Sequence, residues 1–232
     1  MSVGASYKLE FRSLLQTIMF RKIIPFKLLQ DLHNRHPGDN SDLDDVICKM
    51  NETLNTLHQR IKICHCELTG EKLCVFVSTV EREYQKKYKI FDGPQEEYFL
   101  LIVNHIICSS EDGYIGSVDA LNLSSKITTP VTGSVAEHYL QLYVKKGYLL
   151  VPSIGKYCLS MLAITELEPY FTQFEDYLKH CFVCKRAGFI GLKCNNCEKF
   201  IHKHCHSNFN QFKPGSKPIC PSCKQELPFL DQ

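Results

Sequence analysis

Four pairs of potential metal ligands crowd into 43 residues near the C-terminus: Cys181 and Cys184, Cys194 and Cys197, His202 and Cys205, Cys220 and Cys223. Two residues separate the ligands of each pair. A thiolate or imidazole pair at this spacing grips one face of a tetrahedral ion, so two pairs close a site. Four pairs make two closed sites of four ligands each, with no position left for a catalytic water. The order of ligand types is C4HC3. The stretch predicts two zinc ions and a small fold built around them.

The rest of the composition agrees with metal binding. Thirteen cysteines lie in a chain that does not open on a basic segment, an apolar run and a small-residue cleavage site, so the expectation is a reducing compartment and ligands, not disulfides. No stretch approaches the roughly 18 consecutive apolar residues of a membrane span, so no membrane association is expected. At 232 residues there is room for one large domain or two to three small ones. The net charge of +2 marks neither a basic nor an acidic tail. From Cys181 onward, eight Lys/Arg face three acids, a surplus of five, while the preceding 180 residues carry a deficit of three. Two zinc ions and seven thiolates bring the loaded tail to about +2, so these lysines offset the thiolates.

Upstream, helical spacing recurs. Phe11, Leu14, Leu15 and Ile18 share one face of a helix over 7–20. Phe26, Leu29 and Leu32 follow Pro25, which suits a first helical turn. Residues 36–40 read as a loop. Leu43, Val46, Ile47, Met50, Leu54 and Leu57 mark a third helix over 42–58, with acids in its first turn. Ile61–Cys66 and Lys72–Thr79 are two β-rich runs around Thr69-Gly70. Three helices followed by a hairpin is the winged-helix pattern. Residues 81–93 read as helix, then linker.

The order then repeats. Phe99, Ile102, Val103 and Ile106 stripe a long helix. A short helix spans 117–127. Thr132 caps a third helix that runs to Lys146, with Val135, Ala136, Tyr139, Leu140 and Tyr143 inward and Gly147 ending it. Residues 148–151 and 156–159 form a second hairpin, and a final helix over 160–178 leads into the zinc module. The expected fold is mainly α with small β-hairpins: a winged-helix domain at 1–91, a second with a linker helix at 92–178, and the zinc domain at 179–232.

Cys64, His65 and Cys66, with Cys74 across the turn, suggest a third metal site. Alternation on a strand sends Cys64 and Cys66 to one face and His65 to the other, so these ligands do not converge. They read as small buried hydrophobes.

A winged helix that docks in a DNA groove needs basic and polar residues on its third helix. Helix 42–58 offers Asp42, Asp44, Asp45 and Glu52, which repel phosphate, so it reads as a protein-contact surface. Helix 132–146 is more permissive. Lys145, Lys146 and the hairpin's Lys156 are its DNA-contact candidates.

Two pairings of the ligands are open. Sequential pairing would put Cys181, Cys184, Cys194 and Cys197 on one ion. A cross-brace would join Cys181, Cys184, His202 and Cys205 as zinc site 1, and Cys194, Cys197, Cys220 and Cys223 as zinc site 2. A histidine in fifth place followed by x2-Cys favours the cross-brace, because RING and PHD modules have this order. His202 fits better than His204 by its spacing from Cys197 and Cys205; His204 and His206 read as exposed loop residues. PHD fingers carry an aromatic two residues before the last pair, where this chain has Pro218. Cys220-Pro221-x-Cys223 is RING-like.

With the tandem winged helices and the segment Leu162-Ala-Ile-Thr-Glu-Leu-Glu-Pro-Tyr-Phe171, this variant RING resembles the non-SMC element 1 family of the structural maintenance of chromosomes 5–6 complex. The resemblance covers essentially the whole chain and is strongest from Lys145 to Cys223. It implies a nuclear, chromosome-associated subunit that acts in DNA repair, with a MAGE-like subunit and a kleisin-type subunit as partners. It also implies a RING-type E3 ubiquitin ligase that works with an E2 enzyme. Such a ligase forms no covalent intermediate; it orients an E2~ubiquitin thioester. Phe182 and Pro221 match E2-contact positions, and Lys224 falls where active RINGs carry a cation against ubiquitin. Many active RINGs have a Trp before the last pair. This chain has none, and Phe212 is the aromatic that partly replaces it, which points to partner-dependent activity. The competing expectation is a non-catalytic architectural subunit. No triad, phosphate loop or nucleotide fingerprint marks a metabolic enzyme.

Overall fold

The computed structural model describes residues 9–35, 42–79, 91–209 and 219–227. The loop at 36–40, most of the 81–93 segment, Phe212 and Pro218 lie outside them. Contacts group the chain into two units. The first comprises Met1–His65, Glu71–Tyr88 and Met161–Pro169; the second comprises Cys66–Gly70, Lys89–Ser160 and Tyr170–Gln232.

In the first unit, helix α1 (Leu9–Arg21) is followed by a short strand β1 (Ile23–Pro25). The apolar spacing gives no sign of this strand and places Pro25 in the first turn of the next helix. Pro25 instead pairs with Leu73 and stands at the N-cap of α2 (Phe26–Asn34). A proline lacks the N–H for a central ladder but is tolerated on an edge. Helix α3 (Leu43–Asn55) buries Leu43, Val46, Ile47, Met50 and Leu54, and Asp44 and Asp45 favour its N-terminal dipole. It stops before Leu57, which is exposed, because the chain turns at His58 with φ +52.

Strands β2 (Gln59–His65) and β3 (Lys72–Ser78) complete a sheet of order β1-β3-β2. The amide of Asn51 ties α3 to β2: it donates to Ile61 O at 2.9 Å and accepts from Ile61 N–H at 2.8 Å. Leu14, Ile18, Ile24, Leu29, Val46 and Met50 form the centre of this core. Each such fully buried side chain contributes roughly 1.5–3 kcal/mol relative to exposure.

The second unit repeats the order. Helix α4 (Gly93–Cys108) has Pro94 in its first turn and buries Tyr98, Phe99, Ile102, Val103 and Ile106. Strand β4 (Ile115–Gly116), helix α5 (Ser117–Leu123) with a 3-10 turn at Ser124–Lys126, and helix α6 (Gly133–Lys145) follow. Strands β5 (Leu149–Ser153) and β6 (Lys156–Leu159) join β4 in the order β4-β6-β5. As in the first sheet, the short strand pairs with the last strand of the hairpin. Phe91, Phe99, Tyr143 and Tyr148 interlock, with ring centroids 4.7–5.8 Å apart.

Three local expectations differ from the structure. The Thr132 hydroxyl does not cap α6; it meets Ser134 Oγ at 3.2 Å. Val135 is exposed, because Ala136, Leu140 and Tyr143 already define the inward face. The helix expected over 160–178 is broken into α7 (Met161–Glu166), α8 (Glu168–Phe171) and a 3-10 turn at Thr172–Phe174. Pro169 supplies no N–H to continue α7. Helix α7 packs on β3 and β2 of the first unit, and Lys62 pairs with Glu168 there. No helix among the described residues is long and apolar enough to cross a membrane.

Candidate metal centre

The described residues 179–209 and 219–227 carry little regular structure. They contain two-residue strands β7 (Lys179–His180), β8 (Ala187–Gly188), β9 (Leu192–Lys193) and β10 (Phe200–Ile201), and helix α9 (Lys203–Phe209). One turn occurs three times. In the first copy, Lys185 N–H donates to Cys181 O and Cys181 N–H to Arg186 O. Glu198 and Lys199 stand in the same relation to Cys194, and Lys224 and Gln225 to Cys220. The residue after the second cysteine is left-handed each time: Lys185 φ +62, Glu198 φ +55, Lys224 φ +62. Each turn aims two thiols the same way.

The turns converge in an interleaved pattern. Cys181, Cys184, His202 and Cys205 form one cluster and Cys194, Cys197, Cys220 and Cys223 the other, with the ligand atoms of each within 4.8 Å of one another. Cys184 Sγ lies 3.3 Å and Cys205 Sγ 3.9 Å from His202 Nδ1. In the second cluster, Cys194 and Cys223 sulfurs are 3.5 Å apart, and Cys197 and Cys220 sulfurs 3.7 Å. Sulfurs about 2.3 Å from one tetrahedral ion stand about 3.8 Å from each other, so both clusters have the size of a metal tetrad. Each can hold one ion, and the thiolate and imidazole donors suit zinc. Cys64, Cys66 and Cys74 belong to neither cluster.

The surroundings favour the thiolate at Cys181 and Cys223 and disfavour the ligand form at Cys205 and His202. Burial pushes the Cys181 thiol up, but backbone N–H groups of Cys184, His202 and Val183 outweigh it and bring it down to about 7. The backbone N–H of Gln225 and the side chain of Asn196 bring Cys223 down to about 6. Burial and the neighbouring sulfur of Cys184 push Cys205 up; a cation among the sulfurs relieves that repulsion. Burial would lower the His202 pKa, but Glu67 and the facing thiols Cys181 and Cys184 raise it to about 9.

Glu67 has no signal in the sequence, since 135 positions separate it from His202. Both side chains are buried, at 6% and 3% exposure, and His202 Nε2 lies 3.5 Å from Glu67 Oε1. His204 stacks on His202 at 5.0 Å and is not part of the cluster. His206, expected in an exposed loop, is instead buried in α9, with its backbone N–H bonded to His202 O. Leu192, Phe200, Ile201 and Leu227 fill the space between the clusters.

Phe182 is half-buried, and the ammonium groups of Lys199 and Lys185 lie 4.1 and 4.6 Å from its ring centre. Pro221 is buried and Lys224 exposed. Val183 and Ile219, unremarked in the sequence, are exposed apolar groups beside ligand cysteines. Lys145 and Lys146 are exposed at the end of α6, while Lys156 lies 3.7 Å from Asp112 Oδ2.

Fold and site together define a class: a chain of helices and small sheets that ends in two interleaved Cys/His clusters. No family model matches the chain. It is similar to proteins described as non-structural maintenance of chromosomes element 1 homologues. The Xenopus laevis protein is 27% identical, with 94% of this chain and 84% of that protein covered. The Drosophila melanogaster protein is 22% identical over 91% of this chain and 92% of its own length. A Schizosaccharomyces pombe protein, described as non-structural maintenance of chromosomes element 1, is 23% identical over 87% and 86%. A chain of a solved structure described as the Nse1-Nse3-Nse4 complex matches with a TM-score of 0.82 and 25% identity, covering 96% of this chain and 97% of that one. Over most of its length the chain is thus similar to non-structural maintenance of chromosomes element 1 proteins, in sequence and in fold.

Proposed function

We propose that this chain is a RING-type E3 ubiquitin ligase subunit of a structural maintenance of chromosomes 5–6 complex, acting in DNA repair and chromosome maintenance in the nucleus. The carrying observation is the interleaved pair of Cys/His clusters in a chain similar to these proteins over most of its length. We read 1–91 and 92–178 as winged-helix domains and 179–232 as the variant RING. The repeated helix, short strand, two helices and hairpin supports the first reading. The partners would be an Nse3-like MAGE subunit and an Nse4-like kleisin, by analogy with the complex named for the similar structure.

Each cluster would hold a zinc ion whose only chemistry is structural, since both sites are closed. Function then falls to the surface between the ligands. Phe182 is the leading E2-contact candidate, with Val183 and Ile219 as exposed apolar neighbours of the ligands. Pro221, also matched to that surface by sequence, would shape it from beneath, since it is buried. Lys224 would face ubiquitin. A ligase of this kind accelerates transfer by holding the thioester and the attacking amine in reacting geometry. The test is ubiquitin discharge from a charged E2 by this protein with its MAGE-like partner. Faster discharge that Phe182→Ala abolishes supports the proposal; a rate equal to E2 alone overturns it.

The buried Pro221 and the lack of Trp favour a second reading, an architectural subunit whose zinc module docks partners without catalysis. Phe182→Ala would then leave complex function intact, while Cys194→Ser would disrupt assembly. DNA contact would fall to Lys145 and Lys146, which are exposed, more than to Lys156, which is engaged with Asp112. Loss of duplex affinity in a Lys145→Ala/Lys146→Ala variant, with a shallower salt dependence, is the expected result.

A further inference from the structure

The first cluster is incomplete if only its four ligands are counted. Metal-bound histidine is held by what its second ring nitrogen meets, and that partner also selects the tautomer. His202 turns Nδ1 toward Cys184 and Cys205 and Nε2 toward Glu67 Oε1. The same carboxylate accepts the N–H of Phe189 at 3.1 Å and of Ile190 at 2.8 Å through Oε2. These two residues immediately follow Gly188, where a β carbon would lie only 2.2 Å from His202 Nε2. Glu67, the 188–190 segment and the imidazole therefore form one packed group on the far side of the ligand. A carboxylate only 6% exposed is costly to bury, and these donors compensate that cost.

We infer that Glu67 is the positioning carboxylate of the first metal site: it holds His202 in the Nε2–H tautomer, leaves Nδ1 to coordinate, and locks the 188–190 segment behind the ring. It would thus extend the metal centre to a residue outside the Cys/His module. The inference rests on the reading of the first cluster as a metal site.

The test uses the full chain loaded with zinc. Glu67→Gln keeps the shape but removes the charge, and loss of such an outer partner typically weakens metal affinity 10–100-fold. The expected result is that weakening at the first site, with the second site losing its ion only once the first is empty, read by competition with a chromophoric chelator. Unchanged affinity at both sites overturns the role of Glu67. Nitrogen-15 spectra of the unsubstituted protein provide a readout that needs no variant. A proton on His202 Nε2 and metal on Nδ1 is expected; the opposite tautomer overturns the inference. Fewer than two zinc ions on the unsubstituted chain would instead overturn the metal reading beneath it.

Discussion

His202 Nδ1 meets Cys184 Sγ at 3.3 Å across 18 residues of chain, while the Cys194–Cys197 pair that lies between them in sequence faces Cys220 and Cys223. Each cluster thus closes a loop that carries ligands of the other. Structural zinc contributes on the order of 10–16 kcal/mol in small modules, so neither loop should hold without its ion. Cys194→Ser is expected to lower bound zinc by more than the one ion it ligates, measured by native mass spectrometry. Retention of a full first site would show that the clusters fold independently.

Lys224 occupies a left-handed position at φ +62, which costs a residue with a β carbon about 1–2 kcal/mol. Lys224→Gly is expected to be neutral or slightly stabilising, and Lys224→Val to destabilise the loaded module by about 1 kcal/mol. Thermal melting of the zinc-bound protein distinguishes them. If the ammonium also contacts ubiquitin, both variants slow E2 discharge equally despite their opposite effects on stability.

Tyr143 donates its hydroxyl to Gln95 O at 2.7 Å from within the aromatic cluster. Tyr143→Phe keeps the ring and removes a second hydrogen bond from a carbonyl in the first turn of α4. A loss of about 1 kcal/mol in chemical denaturation is expected, against a change near zero if water replaces the hydroxyl.

Cys74 and Cys158 are fully buried, and burial above all pushes their thiols up to about 12 from an ordinary 9.0. The folded state therefore favours the neutral thiol. That contribution to stability is whole below pH 9.0 and is lost as pH rises from there through about 12. At neutral pH, peptide mapping after brief alkylation should find the exposed Cys48 modified and Cys74 and Cys158 intact. Modification of Cys158 at the rate of Cys48 would contradict the packing.

The long helices and hairpins are legible because hydrophobic spacing over ten or more residues reports one buried face, as Leu43 to Leu54 and Phe99 to Ile106 do. The eight ligands are legible because zinc imposes spacing directly. What escapes is short or nonlocal. Strands β1 and β4 have three and two residues, too few for any period. The break at Pro169 is written in the sequence, but the apolar pattern runs through it. Val135 sits at a permissible helical position and loses to Ala136 only through packing against the rest of the unit. Glu67 is one of two acids in the connection between β2 and β3, and only the fold brings it to His202.

The most direct test of the interleaved metal centre is cadmium-113 substitution with heteronuclear correlation to the ligands. Two resonances are predicted, one coupled to Cys181, Cys184, Cys205 and His202 Nδ1, the other to Cys194, Cys197, Cys220 and Cys223. A single cadmium coupled to both Cys181 and Cys194 would contradict the account.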